Sequence, residues 1–334
     1  MSGPKTSVTT TTAAAAASAP VSWRRLAWVA WRQHRAALAV ALAVVGLAAA
    51  LLVAAALLRT ELPLLRGHWA YTGPWDAANE TRIASSVVLQ LLPVLGGMFL
   101  GAPLVARELE ARTARMTWAQ GAGRTRWLIA QAAVLAGLLG AAALALAFLA
   151  QWGLYWRNPF GPADWDFTFM QNPLPFAGWT VAGFCLGVFL GAALRRTVPA
   201  MAATVACYVA LMLATLDWRG HYLPPLYHFT AHLPYPGDSF AGADFGSQFY
   251  FSTPGGHVTD VLDARLGFPD GRLLSNAQAW RSAAWFRAHH VGMWVTYQPG
   301  SRYGLFDVIE FGWLAALSVI LVAATVVLIR RRAA

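Results

Sequence analysis

Long apolar runs that alternate with short charged segments constrain this chain more than any other feature. Two such runs, Ile83 to Ala106 and Leu128 to Gln151, flank a charged segment at Arg107 to Trp127. Each run exceeds the roughly 20 apolar residues that a helix needs to cross the hydrocarbon of a bilayer. The two runs therefore predict transmembrane helices, and segment 107–127 is expected in water at a membrane face.

The composition also indicates a membrane protein. Hydrophobic residues make up 57% of the chain and charged residues only 12%, with a mean hydropathy of +0.47. Soluble domains usually contain about 25% charged residues. The net charge of +10 alone would suggest nucleic acid, but most basic residues lie beside the ends of apolar runs, where they determine membrane orientation. We therefore predict that the chain lies in a lipid bilayer and does not bind nucleic acid.

The apolar runs predict an all-α polytopic membrane protein with six transmembrane helices. The predicted spans cover residues 36–58, 83–106, 128–151, 176–194, 198–216 and 305–329. Short arginine-rich segments are retained on the cytoplasmic side of a membrane. Such segments occur before span one, between spans two and three, between spans four and five, and after span six. Both termini are accordingly predicted to be cytoplasmic.

This topology divides the chain into five parts. Residues 1–20 are rich in threonine and alanine and are predicted to be a disordered cytoplasmic tail. The remaining parts are an amphipathic helix at 21–35, spans one to five at 36–216 with the cytoplasmic segment 107–127, a long external loop at 217–304, and span six with a basic end at 305–334. Within the external loop, a helix is predicted from Asn276 to His289.

Residues 21–35 have four arginines and Trp28 on one helical face, and apolar residues with Trp23 and Trp31 on the other. That pattern is typical of a helix lying in the membrane interface. The alternative is that these arginines are ordinary basic flanks of span one. The candidate interfacial residues are Trp23, Arg24, Arg25, Trp31, Arg32 and Arg35.

Glycines recur at four-residue intervals in two spans and favour close helix packing or pairing of two copies. They are Gly97 and Gly101 in span two, and Gly183, Gly187 and Gly191 in span four. Two polar side chains within spans, Gln90 and Glu310, are candidates for the transport pathway. Glu310 could either line an external vestibule or remain in contact with water near the outer boundary.

The sequence predicts no catalytic or metal site. His228 and His232 have the spacing of a helical metal pair, but nearby prolines interrupt that helix. Hydrolase, metalloprotease and dinucleotide motifs are absent from the sequence. The only lysine, Lys5, is not part of the Gly-Lys-Ser/Thr motif that holds ATP phosphates. Any ATP must therefore be bound by another chain.

Four stretches together resemble the permease subunits of ATP-binding-cassette exporters, the ABC type-2 permease class. The resemblance covers nearly the whole chain from Trp23 onward. The stretches are WRQHR at residues 31–35, PLVARELEARTARMTWAQGAGRTRWL at 103–128, LRRTVPAMAATVA at 194–206 and TYQPGSRYGLFDVIE at 296–310. Glu108 and Thr113 match a glutamate and a threonine that are usual in this class, whereas Arg112 occupies a position where the class usually has glycine.

The resemblance implies a function for segment 107–127. It would contain the coupling helix, which sits in a groove of a separate ATPase subunit that binds ATP and Mg²⁺. The implied coupling residues are Arg107, Glu108, Arg112, Thr113, Arg115, Arg124 and Arg126. The expected partners are that ATPase and a second permease copy or homologue, in a bacterial plasma membrane. The alternative is a membrane-anchored enzyme or sensor that acts through the loop at 217–304.

Overall fold

The computed structural model describes residues 22–61, 87, 89–110, 124–152, 169–230, 248–252, 258–260 and 292–331. Within these residues, five helices are long and apolar enough to cross a membrane, and a sixth is present if the bent N-terminal helix counts as one span. The prediction of a helical protein with several membrane-spanning helices is therefore confirmed.

The long helices of the described ranges follow one another along the chain from Trp23 to Arg331. They are α1 (Trp23–Glu61), α2 (Leu89–Glu110), α3 (Arg124–Ala150), α4 (Pro173–Leu194), α5 (Thr197–Arg219) and α6 (Tyr303–Arg331). A short 3-10 turn, Phe169–Gln171, precedes α4, and another, Gly300–Arg302, precedes α6.

Helix α1 has two arms. The segments Trp23–Ala36 and Leu38–Val53 meet at an angle of 64°. The bend coincides with the predicted boundary between the amphipathic helix and span one. Leu38, directly after the bend, is buried, whereas the three tryptophans of the first arm, at positions 23, 28 and 31, are exposed. The second arm therefore joins the helix bundle, while the first arm leaves its aromatic side chains uncovered.

Helix α4 is the centre of the bundle and is the most buried of the five spans. It is apolar on every side, as expected for a helix surrounded by other helices. Phe184, Cys185 and Val188 pack in one core cluster with Leu104 of α2 and Leu128 of α3. The neighbouring helices are thus positioned by their contacts with α4.

The glycines of α2 and α4 face one another within the same chain. A Cβ atom added at Gly97 would meet the carbonyl oxygen of Gly183, and one added at Gly187 would meet Gly97 and approach the backbone nitrogen of Ala102 to 2.7 Å. Gly97–Gly101 forms a π turn at this contact. Because these glycines have no Cβ atom, the backbones of α2 and α4 can touch at this widened turn.

Five helix ends lie together at one end of the bundle. Glu110 of α2 contacts Thr197 of α5, Thr125 of α3 contacts Arg330 of α6, and Trp23 of α1 lies against Arg126 of α3. We refer to this as the basic end, because the arginines at 24–35, 124–126, 195–196 and 330–331 belong to the segments that meet there. The last turn of α5 and the first turns of α6 lie at the opposite end.

A four-stranded antiparallel sheet follows α5, and the sequence did not predict it. The strands are β1 (Leu226–Thr230), β2 (Gln248–Ser252), β3 (Val258–Asp260) and β4 (Gly292–Tyr297), in the order β1-β4-β2-β3. β1 pairs with β4 along its whole length, from Leu226 opposite Tyr297 to Thr230 opposite Met293. The sheet therefore brings the start and the end of the segment between α5 and α6 next to each other. The helix predicted at 276–289 lies outside the described residues.

Candidate functional site

A buried ion pair joins α5 to α6 at the opposite end of the bundle. Arg219, the last residue of α5, donates from Nε to Glu310 Oε2 at 2.8 Å and from Nη2 to Glu310 Oε1 at 2.9 Å. Neither side chain has any exposed surface. The two parallel hydrogen bonds form the bidentate arrangement that guanidinium and carboxylate groups favour. The pair fixes the end of α5 against the third turn of α6.

Aromatic groups complete the surroundings of this pair. Trp179 of α4 donates from Nε1 to Glu310 Oε1 at 2.8 Å, and the hydroxyl of Tyr222 donates to Oε2 at 3.3 Å. Trp313 in turn donates to the Tyr222 hydroxyl at 2.9 Å. Buried charges are tolerated when such additional hydrogen bonds satisfy them. Burial and the nearby Glu310 carboxylate raise the pKa of Tyr222, so its phenol remains protonated and able to donate.

A second polar cluster lies beside the ion pair and is centred on Asn172. Its Nδ2 donates to Asp307 Oδ1 at 2.8 Å, while its Oδ1 accepts from Gln151 Nε2 at 3.1 Å and from the Tyr303 hydroxyl at 3.2 Å. The cluster links the end of α3, the residue before α4 and the first turns of α6. Asp307 lies one turn before Glu310, so both carboxylates face polar partners at the same end of the bundle.

The connections between the helices and the sheet are also fixed by hydrogen bonds. Gln298, directly after β4, donates to the carbonyl of Leu223 at 2.8 Å. Arg302 donates to the carbonyl of Pro224 at 2.7 Å and to Gln298 Oε1 at 2.8 Å. The segment leaving α5 and the segment entering α6 are therefore held together beside the Arg219 and Glu310 pair.

At the basic end, Glu110 binds the first residue of α5. Its Oε2 atom accepts hydrogen bonds from the Thr197 backbone N–H at 3.1 Å and from the Thr197 hydroxyl at 2.7 Å. The first N–H groups of a helix lack partners within the helix and favour a nearby negative charge. Glu110 is the last residue of α2, so this contact connects the start of segment 107–127 to α5.

The end of segment 107–127 contacts α1 and α6. The guanidinium carbon of Arg126 lies 4.9 Å from the centre of the Trp23 ring, a cation–π arrangement. Thr125 accepts from Arg330 Nε at 3.1 Å. Deeper in α3, Gln131 is 1% exposed and donates to Gln33 Oε1 at 2.6 Å.

Comparison with known proteins identifies the family. A family model described as ABC-2 membrane transporter related matches residues 35–219, which is more than half of the chain. The chain belongs to this family. Neither a curated protein nor a solved structure matches the sequence. The match begins at the bend of α1, includes segment 107–127 and ends at Arg219, so the sheet and α6 lie outside it.

The family assignment confirms the resemblance to ABC-2 permeases. Together with the apolar helices, it supports a multi-pass membrane transport protein. Members of this family are generally membrane subunits of transporters rather than catalysts. In the described part of this ABC-2 protein, no three histidine, cysteine or acidic side chains group together as metal ligands would.

Several predicted coupling residues of this ABC-2 protein fall in the described ranges. Arg107 is exposed and Glu108 half-buried near the end of α2, while Arg126 is half-buried in the first turn of α3. Arg124 is the first residue of α3. Arg112, Thr113 and Arg115 lie outside the described residues. The structure thus brings both described ends of segment 107–127 to the basic end.

The predicted interfacial residues all lie on the first arm of α1, and all are exposed. They are Trp23, Arg24, Arg25, Trp31, Arg32 and Arg35. Besides the contact of Trp23 with Arg126, this arm is attached to Gln131 through Gln33, which accepts at 2.6 Å, and through His34, whose Nε2 lies 3.2 Å from Gln131 Oε1. Its position in a membrane interface stays a prediction.

The five predicted packing glycines are buried and are used within the chain, between α2 and α4. Their faces are therefore already covered, so pairing of two copies through the same faces would require α2 and α4 to separate. Gln90, the other pathway candidate, is half-buried near the start of α2.

One interpretation of Glu310 was wrong. It does not remain in contact with water, because its side chain is fully buried and paired with Arg219. Arg219, predicted in the external loop, is instead the last residue of α5. A carboxylate within an apolar span requires a cationic partner, and that requirement points to the arginines just beyond neighbouring spans.

Proposed function

We propose that this protein is the membrane-spanning permease subunit of an ATP-binding-cassette exporter. It would form the translocation pathway and couple it to a separate ATPase subunit. The observation that carries this proposal is the attachment of segment 107–127, which the family match includes, to three helices. Glu110 contacts α5, Arg126 contacts α1 and Thr125 contacts α6. A protein that moves this segment would therefore act on several spans together.

The proposed orientation places the basic end in the cytoplasm of a bacterium. Arginines in short loops and at span ends are retained on that side of the plasma membrane. With six spans, both termini are cytoplasmic and the four-stranded sheet is external. The first arm of α1 would then lie in the inner membrane interface, where its exposed tryptophans could enter the acyl boundary and its arginines the headgroups.

Energy would come from the ATPase partner, which binds ATP and Mg²⁺. The sequence of this chain lacks the phosphate-binding tripeptide, so it contributes the docking surface and not the nucleotide site. Helix α5 offers a direct route for the movement, because Glu110 contacts its first residue and Glu310 its last. A helix of this length spans roughly 35 Å, enough to connect the two membrane faces.

The transporter would contain a second permease, either an identical chain or a homologue. The glycines of α2 and α4 are engaged within this chain. The second permease would therefore contact other apolar faces. Rigid spans that can repack in two arrangements would alternate between inward and outward access when two ATPase subunits close beneath them.

Co-purification and transport measurements test this proposal. A tagged chain should retain an ATP-binding-cassette ATPase, and replacement of residues 111–123, between α2 and α3, by a glycine-serine linker of equal length should release it while membrane insertion is preserved. Alanine at Glu108, Arg124 and Arg126 should uncouple ATP hydrolysis from transport. Arg331→Ala, which removes an exposed charge at the same end, is the matched control. Normal coupled transport by the triple variant would overturn the docking assignment.

A further inference from the structure

The first arm of α1 carries positive charge that the described part of the chain does not neutralise. Its four arginines, Arg24, Arg25, Arg32 and Arg35, are all exposed, and residues 23–36 include no aspartate or glutamate. Within the described ranges, none of the four forms an ion pair with a carboxylate. The arm therefore has four guanidinium groups available to an anionic partner.

These arginines point away from the helix bundle. The contacts of the arm with α3 are made by Trp23, Gln33 and His34, which lie within about 100° of one another around the helix. Five side chains lie on roughly the opposite side and form what we call the arginine face. They are Arg24, Arg25, Trp28, Arg32 and Arg35. The contacts with α3 thus hold the arm in an orientation that turns the arginine face outward.

Trp28 positions one guanidinium group of the arginine face. The guanidinium carbon of Arg32 lies 5.3 Å from the centre of the Trp28 ring, a cation–π arrangement. Side chains three or four residues apart are neighbours on a helix surface, so Arg25 lies beside Trp28, and Arg35 beside Arg32. Guanidinium groups bind phosphate oxygens in a favourable geometry. A row of them with one already positioned suits phosphodiester groups.

The neighbouring part of α1 favours a lipid over an acidic protein as the anionic partner. The arm ends at the 64° bend, and Val40 and Leu42, a few residues later, are exposed apolar side chains of a helix that can cross a membrane. Lipid headgroups would therefore lie within a few residues of Arg35. Trp28 and Trp31 are exposed as well, and tryptophan is enriched at the headgroup level. An acidic protein would have to displace these lipids.

We propose that the arginine face binds the headgroups of anionic phospholipids selectively, through their phosphodiester groups. Each basic residue near an anionic membrane surface strengthens the attraction about fivefold. Zwitterionic phosphatidylcholine carries its own cation beside the phosphate, so it gains less from the arginines. That a bound lipid would influence coupling rests on the permease function proposed above, because Trp23 of this arm lies against Arg126 of segment 107–127. Lipid binding itself does not depend on that function.

Lipid binding is measured by native mass spectrometry of the purified, delipidated chain, without any ATPase, in titrations with phosphatidylglycerol or phosphatidylcholine. We expect phosphatidylglycerol to bind at least about tenfold more tightly, an effect that two arginines suffice to produce. Replacing Arg25, Arg32 and Arg35 together by glutamine should reduce this preference to about twofold or less. Trp28→Leu keeps an apolar side chain but removes the ring beneath Arg32. It should weaken phosphatidylglycerol binding about two- to fivefold and leave phosphatidylcholine binding unchanged.

A second triple variant separates the arginine face from the general positive charge of the protein. Glutamine at Arg195, Arg196 and Arg331 removes the same number of exposed arginines from the basic end but none from the arm, so the preference should persist. Equal affinity of the wild-type chain for both lipids, or equal loss of preference in the two triple variants, would overturn the proposal. Because no ATPase is present, failure of coupling cannot produce either result. An arm variant that keeps its lipid preference but no longer retains the ATPase would identify a protein-docking face instead.

Discussion

The guanidinium of Arg219 and the carboxylate of Glu310 form two hydrogen bonds of 2.8 and 2.9 Å in a site where neither side chain is exposed. Removing both charges from water is unfavourable, and only close geometry and further donors offset it. Here Trp179 and Tyr222 supply those donors. Each charge in the pair therefore depends on the presence of the other.

Removal of one partner should destabilise the protein more than removal of both. Either Arg219→Met or Glu310→Gln leaves the other charge buried without its partner. Such a change typically lowers the free energy of unfolding by about 3–5 kcal/mol. The double variant has no buried charge in this pair, so its melting temperature should lie above that of Arg219→Met. Thermal unfolding in nanodiscs measures this, with exposed Arg35→Met as the control for loss of an arginine. If the decrease in melting temperature of the double variant equals the sum of the two single decreases, the prediction is contradicted.

Glycine at position 187 should be required for the packing of α4 on α2. In Gly187→Ala the new methyl group would overlap the backbone of Gly97 and Ala102. Such overpacking typically costs about 1–3 kcal/mol, and the lost stability should appear in chemical or thermal unfolding. Gly312→Ala on α6 is the control, because nothing lies within 4 Å of its added carbon. Equal unfolding profiles for the two variants would argue against the close backbone contact.

The membrane-spanning part of this fold could be predicted because the apolar runs are continuous and local. The end of α5 could not be located in the same way. Asp217 and Arg219 end the apolar run and suggest a loop, but the helix continues to Arg219 because Glu310 neutralises the arginine. That neutralisation depends on a residue far along the chain, which periodicity does not reveal.

The sheet shows the same limit. β1 and β4 contain the aromatic and β-branched residues typical of strands. The two strands lie at opposite ends of a long segment, and Leu226 pairs with Tyr297. The sequence of either strand alone does not determine this register. The glycine spacing did indicate close packing, but the identity of the facing helix required the three-dimensional arrangement.

Gln131 should hold the first arm of α1 against α3. Its amide binds Gln33 and His34, both on that arm. In Gln131→Leu these bonds are lost, each contributing about 1 kcal/mol, so amide exchange at residues 23–36 should become at least about fivefold faster. Hydrogen exchange with mass spectrometry makes the measurement. Gln151→Leu, beyond the far end of α3, should leave that arm unchanged, and equal exchange in both variants would contradict the assignment.

The Thr197 hydroxyl should be needed to transmit movement of segment 107–127 to α5. Thr197→Val removes the 2.7 Å hydrogen bond to Glu110 while retaining the shape of the side chain. In a reconstituted transporter, we expect transport per ATP hydrolysed to fall several-fold, because the end of α2 would then move without α5. Glu110→Gln weakens the same contact, so the double variant should be little worse than the more affected single variant.

The matched control for this joint is Thr215→Val, on the same helix. The Thr215 hydroxyl donates to the carbonyl of Leu211 within α5 and makes no contact with Glu110. Its replacement should preserve the ratio of transport to hydrolysis. If the two threonine variants behave alike, or if the Glu110 and Thr197 effects are additive, this contact does not couple segment 107–127 to α5. An ATPase that still co-purifies with Thr197→Val would show that docking is retained and that only transmission is lost.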